Sequence, residues 1–323
     1  MRDQAAWDLE KLRTARLSVA SNSVLLALKL AIGLWIGSVA ILSEAVHSGI
    51  DLVAAVVAWF AVRASGRPPD LVHQFGHGKF EDLSGLFEGA LIMVAAVLII
   101  SESVQKLLSG GEGLYIEALG AGIAVMAISS GVNWYVSNRL MRVAKSTESI
   151  ALESDAWHLR TDVYTSLGVL LGLVAIRLTG VVAFDAVIAI GVALLILKAG
   201  LELCIRAGAN LIDERLPDEE EERIRAIIAE HGDHVAEFHE LRTRRSGPNR
   251  FVDLHLCVAR NLTVEEANRL ADRLEEEIRA VLPRCSVVIK VEPCDASCEA
   301  CRSFCTHRGE CDDDQRSQAP DAR

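Results

Sequence analysis

The chain has 323 residues, 51% of them hydrophobic, and a formal net charge of −11. That composition is too apolar for an ordinary soluble enzyme, and the acidity excludes a nucleic-acid backbone as partner, which needs a basic footprint. The long aliphatic runs lie before about residue 205 and the remainder is highly charged, so the chain reads as a membrane half followed by a soluble half.

The opening "MRDQAAWDLEKLRTAR" is too charged for a secretory leader. Six apolar windows follow, near residues 15–36, 39–62, 84–108, 115–137, 155–178 and 182–204, each approaching the ~20 residues that cross hydrocarbon. Trp35, Trp59, Tyr115 and Trp134 fall near window ends, where amphipathic rings favour the membrane interface. Arg2, Lys11, Arg13 and Arg16 precede the first window, Arg63, Arg67 and Lys79 lie between the second and third, and Arg139, Arg142 and Lys145 between the fourth and fifth. The opposite connections carry only Lys106 and Arg177. The positive-inside rule then puts both termini in the cytosol.

The second window contains "LSEAVHSGIDL" and the fifth "SDAWHLRTDVYTS". Residues three, four and seven apart share a helix face, so Glu44, His47 and Asp51 form one polar stripe and Asp155, His158 and Asp162 another. A lone polar residue in a membrane helix is often a satisfied interhelical hydrogen bond, but two matched stripes of ionisable groups are costly in lipid and point to function. Facing each other, His47, Asp51, His158 and Asp162 supply two imidazoles and two carboxylates, a set that suits a tetrahedral divalent ion, zinc before calcium or magnesium. Glu44 is expected toward the outer mouth and Asp155 toward the cytosolic mouth, as entry or exit groups or as plain interfacial polarity.

In the loop "RPPDLVHQFGHGKFED", Asp70, His73 and His77 have the spacing of a small metal site, and Gly76 and Gly78 would let the backbone turn beside His77. Beyond residue 213, "PDEEEERIRAIIAEHG" reads as a helix, "VAEFHELRTRR" and "RFVDLHLCVA" as strands joined at "SGPN", "TVEEANRLADRLEEEIRAVL" as an amphipathic helix capped by Thr263, and "CSVVIKVEP" as a last strand. The tail "PCDASCEACRSFCTHRGECDDD" holds Cys294, Cys298, Cys301, Cys305 and Cys311 with His307. In a cytosolic segment this density favours soft-metal binding, as zinc or an iron–sulfur centre, or redox chemistry over structural disulfides, with a disordered thiol tail as the alternative.

These segments together resemble the cation diffusion facilitator family of metal/proton antiporters: "LSEAVHSGIDL" its second span, "HQFGHGKFEDL" its cytosolic loop, "DAWHLRTDVYTS" its fifth span, "LIDERLPDEE" and "HELRTRRSGPNRFVDLHL" its soluble domain. The likeness covers roughly residues 10–294 and implies a polytopic protein of six transmembrane helices (1–212), a cytosolic α+β metallochaperone-like domain (213–293) and a Cys-rich, then disordered tail (294–323). It implies a homodimer in the bacterial inner membrane that exports Zn(II) in exchange for protons by alternating access. It also implies an interlock between Lys79 and Asp213, a loop site at Asp70, His73 and His77, and a regulatory metal at His239, His255 and Glu292. Lys290 stands where some members have a histidine ligand, and Cys257 and Cys285 have no assigned part. The alternatives are an exporter of Fe(II), Cd(II), Co(II) or Mn(II), and a membrane-tethered metal sensor that moves no ion. An enzyme is not expected: there is no His-Glu-x-x-His and no nucleophile aligned with the stripes.

Overall fold

Backbone groups in hydrocarbon must find their hydrogen bonds within their own segment, which leaves apolar spans no option but helix. The structure is a computed structural model that describes residues 4–36, 39–108, 119–179, 183–231, 235–260 and 262–294. It shows six long helices, α1 (Gln4–Ile36), α2 (Val39–Ser65), α3 (Lys79–Leu108), α4 (Leu119–Thr147), α5 (Ile150–Thr179) and α6 (Ala183–Leu211). Their lengths of 27 to 33 residues exceed the ~20 needed to cross. Hence α3 and α5 start several residues ahead of their apolar windows, the helix continuing past the hydrocarbon edge. Among the described residues α1, α2, α3 and α6 each hold a segment long and apolar enough to cross a membrane unaided. The stretch of α5 that starts the span is too polar for that, with Asp155, His158, Arg160 and Asp162 within eight residues. Tyr115 lies outside the described residues.

Small residues let the helices approach closely, as expected where lipid offers no hydrophobic drive to associate. A Cβ on Gly89 of α3 would meet Cys204 Sγ at 2.8 Å and the Gly200 carbonyl of α6 at 3.2 Å. Buried Ala15, Ala61, Val62, Leu140, Leu152, Ala156 and Leu159 join α1, α2, α4 and α5 in one apolar cluster. At the helix ends a charge is buried with its partners: Lys11 Nζ lies 2.6 Å from Glu81 Oε1, both side chains fully inaccessible. Ser65 donates to the same carboxylate at 2.5 Å and Ser149 donates to its other oxygen. Such a pair persists only because both ions and their remaining lone pairs are satisfied.

The chain separates after Asp213 into a second compact unit, built from α7 (Asp218–Glu230), β1 (Val235–Ser246), β2 (Asn249–Val258), α8 (Val264–Val281) and β3 (Cys285–Pro293). The sheet order is β1-β2-β3, with β2 and β3 parallel from Arg250↔Cys285 to Val258↔Pro293. A parallel pair needs a crossover, and α8 supplies it. Alternation along β2 buries Val252, Leu254, Leu256 and Val258 against Leu270, Leu274 and Ile278 of α8 and Ile224 and Ile228 of α7. A capping box starts α8: Thr263 Oγ1 accepts from Glu266 N at 3.3 Å, and Thr263 N donates to Glu266 Oε2 at 2.9 Å.

Arg250, buried at the start of β2, donates to both oxygens of Glu220, at 2.7 and 2.8 Å. Burial alone would raise the Glu220 pKa, but Arg250, Arg245 and Arg223 outweigh it and hold the carboxyl below its usual value. A depressed carboxylate stabilises the fold above the unfolded pKa of about 4.3, and that contribution disappears as pH falls through the lower folded value. Glu220→Gln leaves Arg250 buried without its counter-ion and should lower the opening free energy of β2 amides by about 3 kcal/mol at pH 7. The difference from wild type should shrink below about pH 4. Hydrogen exchange of the β2 amides in the full-length protein measures both.

Candidate metal site

Helix periodicity brings each polar stripe to one face, and the packing of α2 against α5 turns the two faces toward each other. His47 Nε2 lies 3.4 Å from Asp162 Oδ1 and 3.8 Å from Asp51 Oδ1. His158 Nε2 lies 3.2 Å from Asp51 Oδ1. Ligand atoms of His47, Asp51 and Asp162 therefore fall within 4.8 Å of one another, and His158 joins through Asp51. Asp51 and His158 are buried, while the His47 side chain is 51% accessible. One face of the cluster is open and the other closed.

The structure adds members to this neighbourhood. Asn133 of α4 donates its amide to Asp162 Oδ2 at 3.2 Å, fixing the carboxylate from outside the pair of stripes. Lys29, buried within α1, donates to Ser48 Oγ at 2.8 Å and lies 3.2 Å from Glu44 Oε2. Asparagine and lysine each occur once in their apolar runs, so no periodicity marks them. Glu44 is thus paired with Lys29 while remaining 43% accessible. Asp155 departs from the expected solvated position. It is 1% exposed. The i,i+3 step from Asp155 to His158 points it inward, into the helix packing.

The loop before α3 brings Asp70, His73 and His77 together. Asp70 Oδ1 accepts from Val72 N at 2.9 Å and His73 N at 2.6 Å, and these two backbone bonds hold its carboxyl below the usual range. Asp70 Oδ2 lies 3.3 Å from His77 Nε2, and Oδ1 lies 3.5 Å from His73 Nδ1. Gly76 has φ +83°, the turn that swings His77 back over the loop. Lys79, the first residue of α3, reaches Asp213 Oδ1 at 3.0 Å and donates to the Leu211 carbonyl at 3.0 Å.

In the soluble unit β1, β2 and β3 carry a third cluster. Glu292 Oε2 is 3.2 Å from His239 Nε2, and Oε1 is 3.3 Å from His255 Nδ1. Parallel register sets Cys257 opposite Glu292, and Cys257 Sγ comes within 3.7 Å of His239 Nδ1. Donor atoms of His239, Cys257 and Glu292 all lie within 4.8 Å of one another, so the thiol left without a part in the sequence belongs to this cluster. Lys290 Nζ sits 2.6 Å from Glu292 Oε1 and is the main cause of that carboxyl's lowered pKa. Cys285 faces elsewhere, its thiol pushed up to about 11 by burial. At the end of β3, Cys294 is buried, and its carbonyl accepts from Arg260 Nε at 2.7 Å. Cys298, Cys301, Cys305, His307 and Cys311 lie outside the described residues.

Comparison with known proteins matches residues 15–212 to the cation efflux transmembrane domain and residues 216–294 to the cation efflux protein cytoplasmic domain. The chain belongs to the cation efflux, or cation diffusion facilitator, family. It is 32% identical over 292 residues to the cation-efflux pump FieF of Salmonella paratyphi A, covering 90% of this chain and 96% of that one. It is 35% identical over 279 residues to the uncharacterized transporter sll1263 of Synechocystis, covering 86% and 89%. A solved structure of a candidate zinc transporter, CzrB, in its zinc form matches 25% of this chain and 92% of its own at 47% identity, with a TM-score of 0.24.

A cation efflux protein is an integral membrane transporter, and of the three clusters among the described residues the α2–α5 one lies between two of the long helices. The other two sit at a loop and on a sheet surface. If Cys257 is a ligand, cobalt added to the full-length protein should give a thiolate-to-cobalt charge-transfer absorption. Cys257→Ser should remove that band, and His239→Ala should weaken cobalt binding about tenfold or more by titration.

Proposed function

We propose that this cation efflux protein exports a divalent metal ion from the cytosol, zinc foremost, in exchange for protons, with His47, Asp51, His158 and Asp162 as the cargo's ligands. The observation that carries the reading is the spacing of donor atoms on α2 and α5. Ligands about 2.0–2.1 Å from a tetrahedral zinc stand roughly 3.3–3.4 Å apart. The imidazole–carboxylate separations are 3.2, 3.4 and 3.8 Å. An ion at the centre would need little rearrangement, and a mixed nitrogen and oxygen set of four favours zinc over ions that demand six oxygens.

Exchange with protons follows from the same atoms. Metal binds ionised carboxylate and neutral imidazole, and each lone pair it uses is one a proton would take. When the site opens to the outside, protons displace the ion, and the resulting imidazolium–carboxylate pairs leave no net charge stranded in lipid. On return to the cytosolic side, where protons are scarcer, the ligands are freed for the next ion. Arg63, Arg67 and Lys79 flank one connection and Arg139, Arg142 and Lys145 another, which supports cytosolic termini by the positive-inside rule, in what the family resemblance implies is a bacterial inner membrane.

The working unit is a homodimer, consistent with the matched cytoplasmic domain, with Lys79 and Asp213 as an interlock near the membrane surface. The loop cluster at Asp70 and the sheet cluster at His239, His255, Cys257 and Glu292 bind cytosolic metal and report its level. This division corresponds to a membrane unit at 1–212, a soluble unit at 213–293 and a tail at 294–323.

Purified protein in proteoliposomes tests the mechanism. Wild type should move zinc toward an acidic compartment and slow when a protonophore collapses the gradient. Asp51→Ala and Asp162→Ala should each reduce flux to the level of empty liposomes while remaining dimeric by size exclusion. Zinc flux unchanged by the gradient would refute proton exchange, and unchanged flux in both variants would refute the ligand assignment.

A further inference from the structure

Lys29 has no part in the cycle just described, yet it reaches from α1 to the α2 stripe that carries two of the proposed ligands. On α2, Glu44 and Ser48 are one turn apart. Glu44 precedes His47 by three residues, and Ser48 precedes Asp51 by three, so all four side chains share a face. Lys29 crosses from α1 to touch both members of the upper turn, at 3.2 Å from Glu44 Oε2 and 2.8 Å from Ser48 Oγ. The lysine side chain is only 6% accessible, whereas that of Glu44 is 43% accessible. The carboxylate is therefore free to turn if its cation is removed, and it stands one helical turn from His47 on the same face.

We propose that Lys29 is a specificity-determining residue that holds Glu44 out of the cargo ion's coordination shell. The inference rests on the α2–α5 cluster being the transport site. With Lys29 in place, Glu44 is neutralised locally and two carboxylates, Asp51 and Asp162, face a divalent ion. Without it, a third carboxylate stands one helical turn from His47, within reach of the same ion. Four mixed ligands suit zinc; an added oxygen donor, able to bind through either or both oxygens, shifts the site toward ions of higher coordination number such as Mn(II). The ammonium group suits this task because it pairs with a carboxylate but has no lone pair for a metal.

Competitive flux of zinc and manganese in proteoliposomes tests the proposal, comparing wild type, Lys29→Met and the double variant Lys29→Met/Glu44→Gln. Lys29→Met should raise the manganese-to-zinc flux ratio about tenfold or more, and Glu44→Gln in the same chain should return it to the wild-type value. A merely structural role would slow both ions in parallel and leave the ratio unmoved. An unmoved ratio in Lys29→Met, or a raised ratio that persists in the double variant, overturns the proposal. Should Lys29→Met not fold, Lys29→Gln keeps a hydrogen bond to Ser48 and carries the same expectation. Wild type that moves neither ion counts against the transport site itself, whereas wild-type zinc flux with an unmoved ratio counts only against Lys29.

Discussion

An ionised side chain in hydrocarbon must meet its opposite or be neutralised, and this requirement organises the membrane unit more than apolar packing does. Lys11 of α1 meets Glu81 of α3, Lys29 of α1 meets Glu44 of α2, and His47 and Asp51 of α2 meet Asp162 and His158 of α5. Each pair joins two different helices. Small residues such as Gly89 and Gly200 set how closely helices approach, and the charge pairs decide which helix faces face each other.

Two of these pairings differ from the rest in kind. In a lysine–carboxylate pair only the carboxylate can ligate a metal, because an ammonium has no lone pair to offer. Imidazole–carboxylate pairs are exchangeable, since a divalent ion binds the same nitrogen and oxygen lone pairs that a proton does. The membrane unit thus combines lysine–carboxylate pairs that join α1 to α2 and α3 with imidazole–carboxylate pairs that join α2 to α5. Asn133, a neutral donor to Asp162, orients its carboxylate without competing for the charge.

The soluble unit repeats the theme on a sheet. Parallel register between β2 and β3 puts Cys257 opposite Glu292 and His255 opposite Lys290, so metal donors and a cation share one surface. Lys290 bonds Glu292 as Lys29 bonds Glu44, in each case a lysine beside a carboxylate that borders histidines. In the soluble cluster the Lys290 side chain is solvent-accessible. In the membrane, the buried Lys29 has nowhere else to go.

Periodicity within a segment was legible from residue order alone: the helix spacing of His47 and Asp51 and of His158 and Asp162, the strand alternation of β1 and β2, the capping box at Thr263, and the Asp70, His73 and His77 loop. These depend on backbone geometry that a few neighbouring residues determine. Lys29, Asn133, Cys257 and the burial of Asp155 were not legible, because a single lysine, amide or thiol has no period. What each does depends on a partner from another element, as Asp162 lies 115 residues from His47 and Asp51 lies 107 from His158. The order of residues determined which faces are polar; only the packing of helices and the register of strands decided which polar groups meet, since desolvation makes a buried charge take whatever partner the fold brings within reach.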